Sequence, residues 1–274
     1  MLIDLHTHST ASDGQYSPCE LAYLVKKKGI TNWSLTDHDT VAGLEEAERI
    51  AQETYIGFIP GIEISTQDEE EIHILGYGID YRNYYLKEKC RIFAIERLNR
   101  ANKICDYLET KGIKVDMDEV KSYAKGDVMG RPHFARYLIA HNIVQERKEA
   151  FDLYLDTNEF KAATERKLPT SEEAIDLIHK ANGVAFIAHP GLYKMNIDSK
   201  RKLVSRLAAY GLDGIECIYS KHSKEETEVY LSWAEKLGLK ISVGSDFHGE
   251  KVKPDVELGM MINEEKYKGK IFYE

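Results

Sequence analysis

Short apolar strands alternate with helical segments at both ends of this 274-residue chain, and a long middle stretch breaks the pattern. Ile3-Asp4-Leu5 reads as a strand. Ser17-Pro18 then supplies a cap and a first-turn proline, and Gly29 closes the helix that follows. Further strands are expected over 30–35, 55–59, 62–65 and 72–77, with a helix over 41–54. From about Tyr81 the β pattern stops. Helices are expected over 84–110, 118–124, 131–140 and 145–155. Alternation resumes when Ser171 caps a helix through Ala181. Strands over 184–188, 214–217 and 239–243 follow, separated by helices over 199–210 and 223–237. Alternation of this kind predicts parallel strands joined by helical crossovers, an α/β fold. The expected division is a body of residues 1–81 and 171–274 with a helical insertion of residues 82–170.

Charge divides along the same boundary. The insertion has 18 basic and 14 acidic residues, while the rest of the chain has 19 and 32. The net charge of −9 argues against extended duplex nucleic acid or an anionic membrane as a partner. Neither a leader pattern nor a long apolar run is read, and the four separated cysteines suit a reducing cytoplasm.

The polar residues that interrupt the apolar strands carry the chemistry. His6 and His8 alternate at the end of the first strand, so both imidazoles can face one point. Asp13 lies in Ser12-Asp13-Gly14, which alone reads as a turn. His38 stands between Asp37 and Asp39 after the second strand, where a ligand and a helix cap are equal readings. Glu63 and His73 each sit inside an apolar strand and need a partner if they point inward. His189 ends a strand before Pro190-Gly191, and Asp246 and His248 alternate after another. In a parallel barrel these strand ends converge on one face. Imidazole with carboxylate suits Zn, Mn or Fe, and nine ligands suit about three ions. No GxSxG elbow or phosphate loop offers another nucleophile, so a metal-activated water is the simplest one.

Together HTHS, SDG, TDHDT, GIEIS, HILGY, RPH, AHPG and SDFHG, in this order, resemble the polymerase-and-histidinol-phosphatase (PHP) family of metal-dependent phosphoesterases. The resemblance implies a distorted (β/α)7 barrel with a helical insertion and a trinuclear metal centre. It implies one ion at His6, His8, Glu63 and Asp246, and a second at Glu63, His73 and His189. Asp13, His38 and His248 would hold the third. Where some relatives carry His, this chain has Asp13, a harder ligand that favours Mn over Zn or Fe.

Within the family, the insertion resembles the branch acting on nucleoside 3′,5′-bisphosphates and short RNA 5′ ends. Arg97 and Arg100 lie one helical turn apart and can meet one phosphate. Arg131 and His133 flank Pro132 at a helix start, where an anion is welcome. Asp246 is the expected catalytic ligand, and Tyr219 or His222 could protonate the leaving oxygen. The expected activity is hydrolysis of a small phosphorylated substrate, a nucleotide or short RNA. Histidinol phosphatase is the alternative within the family. A deaminase with fewer ions and a non-catalytic metal-binding or polymerase-associated module are the alternatives outside it.

Overall fold

Seven strands follow one another around the sheet in chain order: β1 (Leu2–Asp4), β2 (Asn32–Leu35), β3 (Gly57–Gln67), β4 (Glu71–Tyr77), β5 (Val184–Ile187), β6 (Gly214–Tyr219) and β7 (Lys240–Gly244). The short β8 (Met260–Met261) pairs antiparallel with β1. This computed structural model describes residues 1–124, 126, 128–267 and 269–272. Beyond Asp4 the chain meets the far end of the sheet. Leu5 N–H donates to Val243 O at 2.9 Å, and Asp246 N–H donates to His6 O at 2.8 Å. These bonds nearly close the barrel, so the expected α/β barrel with many helices is what the chain forms.

One strand departs from the expected parallel pattern. β4 runs antiparallel to both β3 and β5. Only residues 68–70 join β3 to β4, which is too short for a crossover and forces a hairpin. The expected strands over 55–59 and 62–65 are one continuous strand, β3.

Helices α1 (Pro18–Lys28) and α2 (Leu44–Thr54) cover β1 to β3. A capping box at Ser17 starts α1, and left-handed Gly29 (φ 78°) ends it. The middle stretch holds α3 (Tyr84–Thr110), α4 (Met117–Tyr123), α5 (Arg131–Ala140), α6 (Arg147–Ala150) and α7 (Asn158–Ala163). A π-helical turn at Phe151–Leu155 continues α6, and α7 lies where no helix is expected. Then come α8 (Ser171–Lys180), α9 (Ile197–Tyr210) and α10 (Lys224–Leu237). The cap of α8 is Thr170, one residue before the expected Ser171.

Two apolar cores result. One packs the barrel strands against α1, α2, α8, α9 and α10, with Trp33, Ile62, Ile74 and Ile215 at its centre. The other gathers Ile104, Leu108, Phe134, Leu138 and Phe160 within the insertion. α3 belongs to both, through Leu86, Cys90 and Phe93 in the first core and Ala101, Ile104 and Leu108 in the second. The insertion is thus anchored by a helix that starts on the barrel wall. No helix of the described residues is long and apolar enough to cross a membrane.

Candidate metal centre and phosphate pocket

Buried carboxylates sew the strand-end loops into place. Asp4 accepts from Ser245 N–H at 2.9 Å, Ser245 Oγ at 2.5 Å and Gly259 N–H at 2.8 Å. Asp37 accepts from Ser9 N–H at 2.8 Å and from Ser12 Oγ at 2.5 Å. Asp39 accepts from Ser65 N–H at 2.8 Å. Three non-glycine residues here take left-handed backbone: Asp39 (φ 56°), His189 (φ 24°) and Asp246 (φ 60°). Such conformations cost roughly 1–3 kcal/mol each and persist only where surrounding bonds hold them.

The nine expected ligands converge on one end of the barrel. Glu63 is fully buried at the centre. Its Oε1 lies 2.7 Å from His73 Nδ1 and 2.9 Å from His189 Nε2. Its Oε2 lies 2.9 Å from His38 Nδ1, 3.2 Å from His8 Nε2 and 3.3 Å from His6 Nε2. Asp246 Oδ1 lies 3.3 Å from His8 Nε2 and 3.7 Å from His6 Nε2. Asp13 Oδ1 lies 3.2 Å from His248 Nε2.

These contacts define four compact groups: His6, His8 and Asp246; His6, Glu63 and His189; His38, Glu63 and His73; and His8, Asp13, His38 and His248. His73 and His189 share Glu63 Oε1 but fall in separate groups. His8 joins the group around Asp13.

The donor set fits cations. Glu63 Oε2 is buried without a hydrogen bond among the described residues, although three imidazole nitrogens surround it. An oxygen so placed is costly unless a positive charge sits against it. Burial raises the Glu63 pKa, but the imidazoles of His38, His73 and His6 outweigh it and hold the carboxyl well below the usual range. Burial likewise opposes ionisation of Asp246, yet Lys253 and His248 hold it well below its ordinary value.

Beside this cluster lies a pocket of about 170 Å³. Asp13, His38, His73 and His248 form one wall. The insertion contributes Arg97, Arg100, Arg131, Arg147 and Arg166 to the same lining, and Lys253 joins it from the barrel. Arg97 Nε donates to Asp39 Oδ2 at 2.8 Å, and Arg166 Nη1 donates to the same oxygen at 3.1 Å. Arg166 Nη2 also donates to Glu71 at 3.2 Å. Arg131 pairs with Asp156 at 3.0 Å, and Arg147 donates to Val252 O. Arg100 Nε is buried without a hydrogen bond among the described residues, and burial lowers its pKa to about 10. A desolvated guanidinium in that state favours an anion. A wider cleft of about 740 Å³ adjoins the pocket and shares Glu71, His73, Arg100, Arg131 and Arg166 with it.

Two expected residues are placed otherwise. His133 is buried at the start of α5, and its Nδ1 accepts Gly130 N–H at 3.0 Å. It does not line the pocket, because its ring turns back to cap the helix. His222 Nδ1 donates to Cys217 O at 3.1 Å, and its Nε2 accepts Gly191 N–H at 3.0 Å. Both of its ring nitrogens are thus engaged by backbone groups. Tyr219 OH instead donates to Asp246 Oδ2 at 2.9 Å, as does Lys253 Nζ at 2.6 Å.

Sequence reasoning missed Arg147, Arg166, Lys253, Glu71 and Glu216. Glu216 had a visible signal, the same charged residue within an apolar strand that exposes Glu63. Glu71 opens β4, and Arg147, Arg166 and Lys253 lie in loops or a short helix without periodicity.

A model of the PHP domain matches residues 4–159. A 5′-3′ exoribonuclease of Haemophilus influenzae is 41% identical over 248 residues, covering 89% of each chain. A 3′,5′-nucleoside bisphosphate phosphatase of Chromobacterium violaceum is 33% identical, covering 90% of this chain and 87% of its own. A solved structure of an amidohydrolase from Chromobacterium violaceum, with bound sulfate and no metal, superposes with a TM-score of 0.88 at 32% identity. That match covers 95% of this chain and 92% of the other. With the domain model spanning more than half of the sequence and relatives aligned along most of it, this chain belongs to the PHP family of metal-dependent phosphoesterases and is a phosphoester hydrolase.

Proposed function

We propose that the protein hydrolyses a phosphate ester on a nucleotide that carries a second phosphate: a monoester of a nucleoside 3′,5′-bisphosphate, or the diester that joins the first nucleotide at the 5′ end of a short RNA. The observation that carries this reading is the shared pocket, with histidines and carboxylates from the barrel and arginines from the insertion in one lining. The names of the relatives, an exoribonuclease and a bisphosphate phosphatase, point to the same chemistry.

His6, His8, Glu63 and Asp246 would hold one divalent ion, Glu63, His73 and His189 a second, and Asp13, His38 and His248 a third. Mn is the metal proposed first, with Zn and Fe as alternatives, since three ligands are carboxylates. When bound, such ions polarise phosphoryl oxygens and lower the pKa of a bound water toward neutrality. The residues of the chain do the rest. Arg100 and Arg131 hold the non-reacting phosphate, so remote binding energy orients the reacting one. Arg97 and Arg166, fixed by Asp39, line the path between the two phosphates. Lys253 lies against Asp246 and is a cation beside the ligand cluster at which developing charge could be met. The segment 82–170 acts as the substrate-binding insertion of a cytoplasmic enzyme.

The wide adjoining cleft leaves room for the rest of a short RNA beyond the arginine cluster, although acidic residues line it as often as basic ones and Lys161 and Lys194 there both face Asp156. Histidinol phosphate fits less well, because its ammonium would meet like charge in this pocket. The deciding experiment measures, with Mn, phosphate release from adenosine 3′,5′-bisphosphate, AMP and histidinol phosphate, and mononucleotide release from 5′-phosphorylated trinucleotide RNA. Preference for the bisphosphate or the RNA supports the proposal, and preference for histidinol phosphate sinks it.

A further inference from the structure

We infer that Glu216 is a positioning residue that aims His6 and His189 at the centre of the ligand cluster. The inference rests on the metal centre proposed above. Glu216 is fully buried within β6, in the run Gly214–Tyr219. The pairing of β6 with β7 shifts register between Glu216 and Ile218, a bulge that re-aims side chains locally.

Both oxygens of Glu216 are used. Its Oε1 accepts from His6 Nδ1 at 2.9 Å. Its Oε2 accepts the backbone N–H of His189 at 2.7 Å. The first bond fixes a proton on His6 Nδ1, so Nε2 is the nitrogen left to ligate. That Nε2 faces Glu63 Oε2 at 3.3 Å. The second bond holds His189 in its left-handed backbone, φ 24° and ψ 58°, which a non-glycine residue adopts only under constraint. In that conformation His189 Nε2 reaches Glu63 Oε1 at 2.9 Å. One carboxylate therefore sets two ligands that arise from β1 and β5, on opposite sides of the closed sheet.

The space around it is tailored. A Cβ on Gly244 would lie 2.6 Å from Glu216 Oε1 and 2.2 Å from His6 Cβ, so only glycine admits this contact. A glutamine at 216 would match the volume but not the bonding. It has one acceptor oxygen, and its amide N–H groups would face one of the two donors.

The test compares Glu216→Gln with wild type for Mn affinity by chelator competition, Co(II) absorption and melting of the metal-free protein. The expected result is Mn affinity weaker by about 10–100-fold, an altered Co(II) spectrum and metal-free protein that still melts cooperatively, at a somewhat lower temperature because one buried donor loses its acceptor. Equal affinity and identical spectra in both proteins overturn the inference. If Glu216→Gln does not fold, Glu216→Asp is read instead. Its shorter arm can reach only one donor, so a loss of affinity supports the inference and wild-type affinity overturns it. Wild-type protein that takes up no ion overturns the metal centre and this inference together. Uptake that is equal in wild type and variant overturns the inference alone.

Discussion

On the barrel side, behind the pocket, Glu63 meets nitrogens of five histidines within 3.3 Å, all carried on strands or strand ends. On the insertion wall, Arg97 and Arg166 reach across to share Asp39, a carboxylate of the barrel. The first wall is built by the backbone ladder. The second is built by long side chains that need the first wall's carboxylates to hold them. Loss of a barrel residue should therefore disable the chemistry, whereas loss of an insertion residue should weaken binding.

The largest effect tests the barrel wall. Asp246→Asn keeps the left-handed backbone, which asparagine tolerates, but removes the charge facing His6 and His8. Phosphate release should vanish with the circular dichroism spectrum intact. Stripping metals with a chelator should do the same, with Mn restoring turnover. Full activity in protein shown metal-free by elemental analysis would break the distinction.

The insertion wall gives a smaller effect with a different signature. Arg100→Ala removes a guanidinium that has no hydrogen bond at Nε, so stability should hold while KM rises about 10–100-fold. Arg97→Ala should raise KM similarly and also lower unfolding free energy by about 1–3 kcal/mol, because the buried Asp39 loses one of its two guanidinium partners. A drop in kcat with KM unchanged would place these arginines in the chemistry and blur the two walls.

An acid-stability measurement sharpens the position of His133. Burial lowers its pKa from 6.5 to about 4, so the unfolded chain takes up a proton before the folded one does. Stability is then full above pH 6.5 and falls as pH drops from 6.5 toward 4, by at most about 3 kcal/mol. His133→Gln, which can still cap Gly130, should flatten that part of the denaturation profile. An unchanged slope would show that the ring is not the group responsible. The smallest effect is expected at His222. His222→Asn should leave kcat within a few-fold of wild type, whereas loss of a general acid costs about 10²–10⁴-fold.

Much of the fold and of the ligand cluster could be read from residues alone. The helix Tyr84–Thr110 begins and ends where periodicity and Gly112 place it. Most of the expected ligands are legible because they are polar interruptions at the end of, or within, an apolar strand, whereas Asp13 lies in a turn and is picked out only by the resemblance. β4 runs against the expectation because strand direction depends on connection length, and the three-residue link at 68–70 outweighs the alternating pattern.

The arginine wall is less legible. Arg97 and Arg100 stand on a helix whose spacing predicts a shared face. Arg147 and Arg166 come from segments whose placement depends on how the second core packs. His222 lies in a polar loop between Lys221 and Ser223, and His133 follows Arg131-Pro132 in the first turn of a helix, so neither shows its partners in the sequence. Their partners turn out to be backbone groups that only folding brings near.

What the sequence by itself determined is the set of strand ends and the chemistry they carry, because a period-2 strand aims alternate side chains wherever it is placed. What only the tertiary structure decided is which distant charges meet. Asp39 joins Arg97 and Arg166, and Glu216 joins His6 to His189 across a closed sheet. Those contacts come from barrel closure and from the packing of α3 onto it, and both depend on the whole chain.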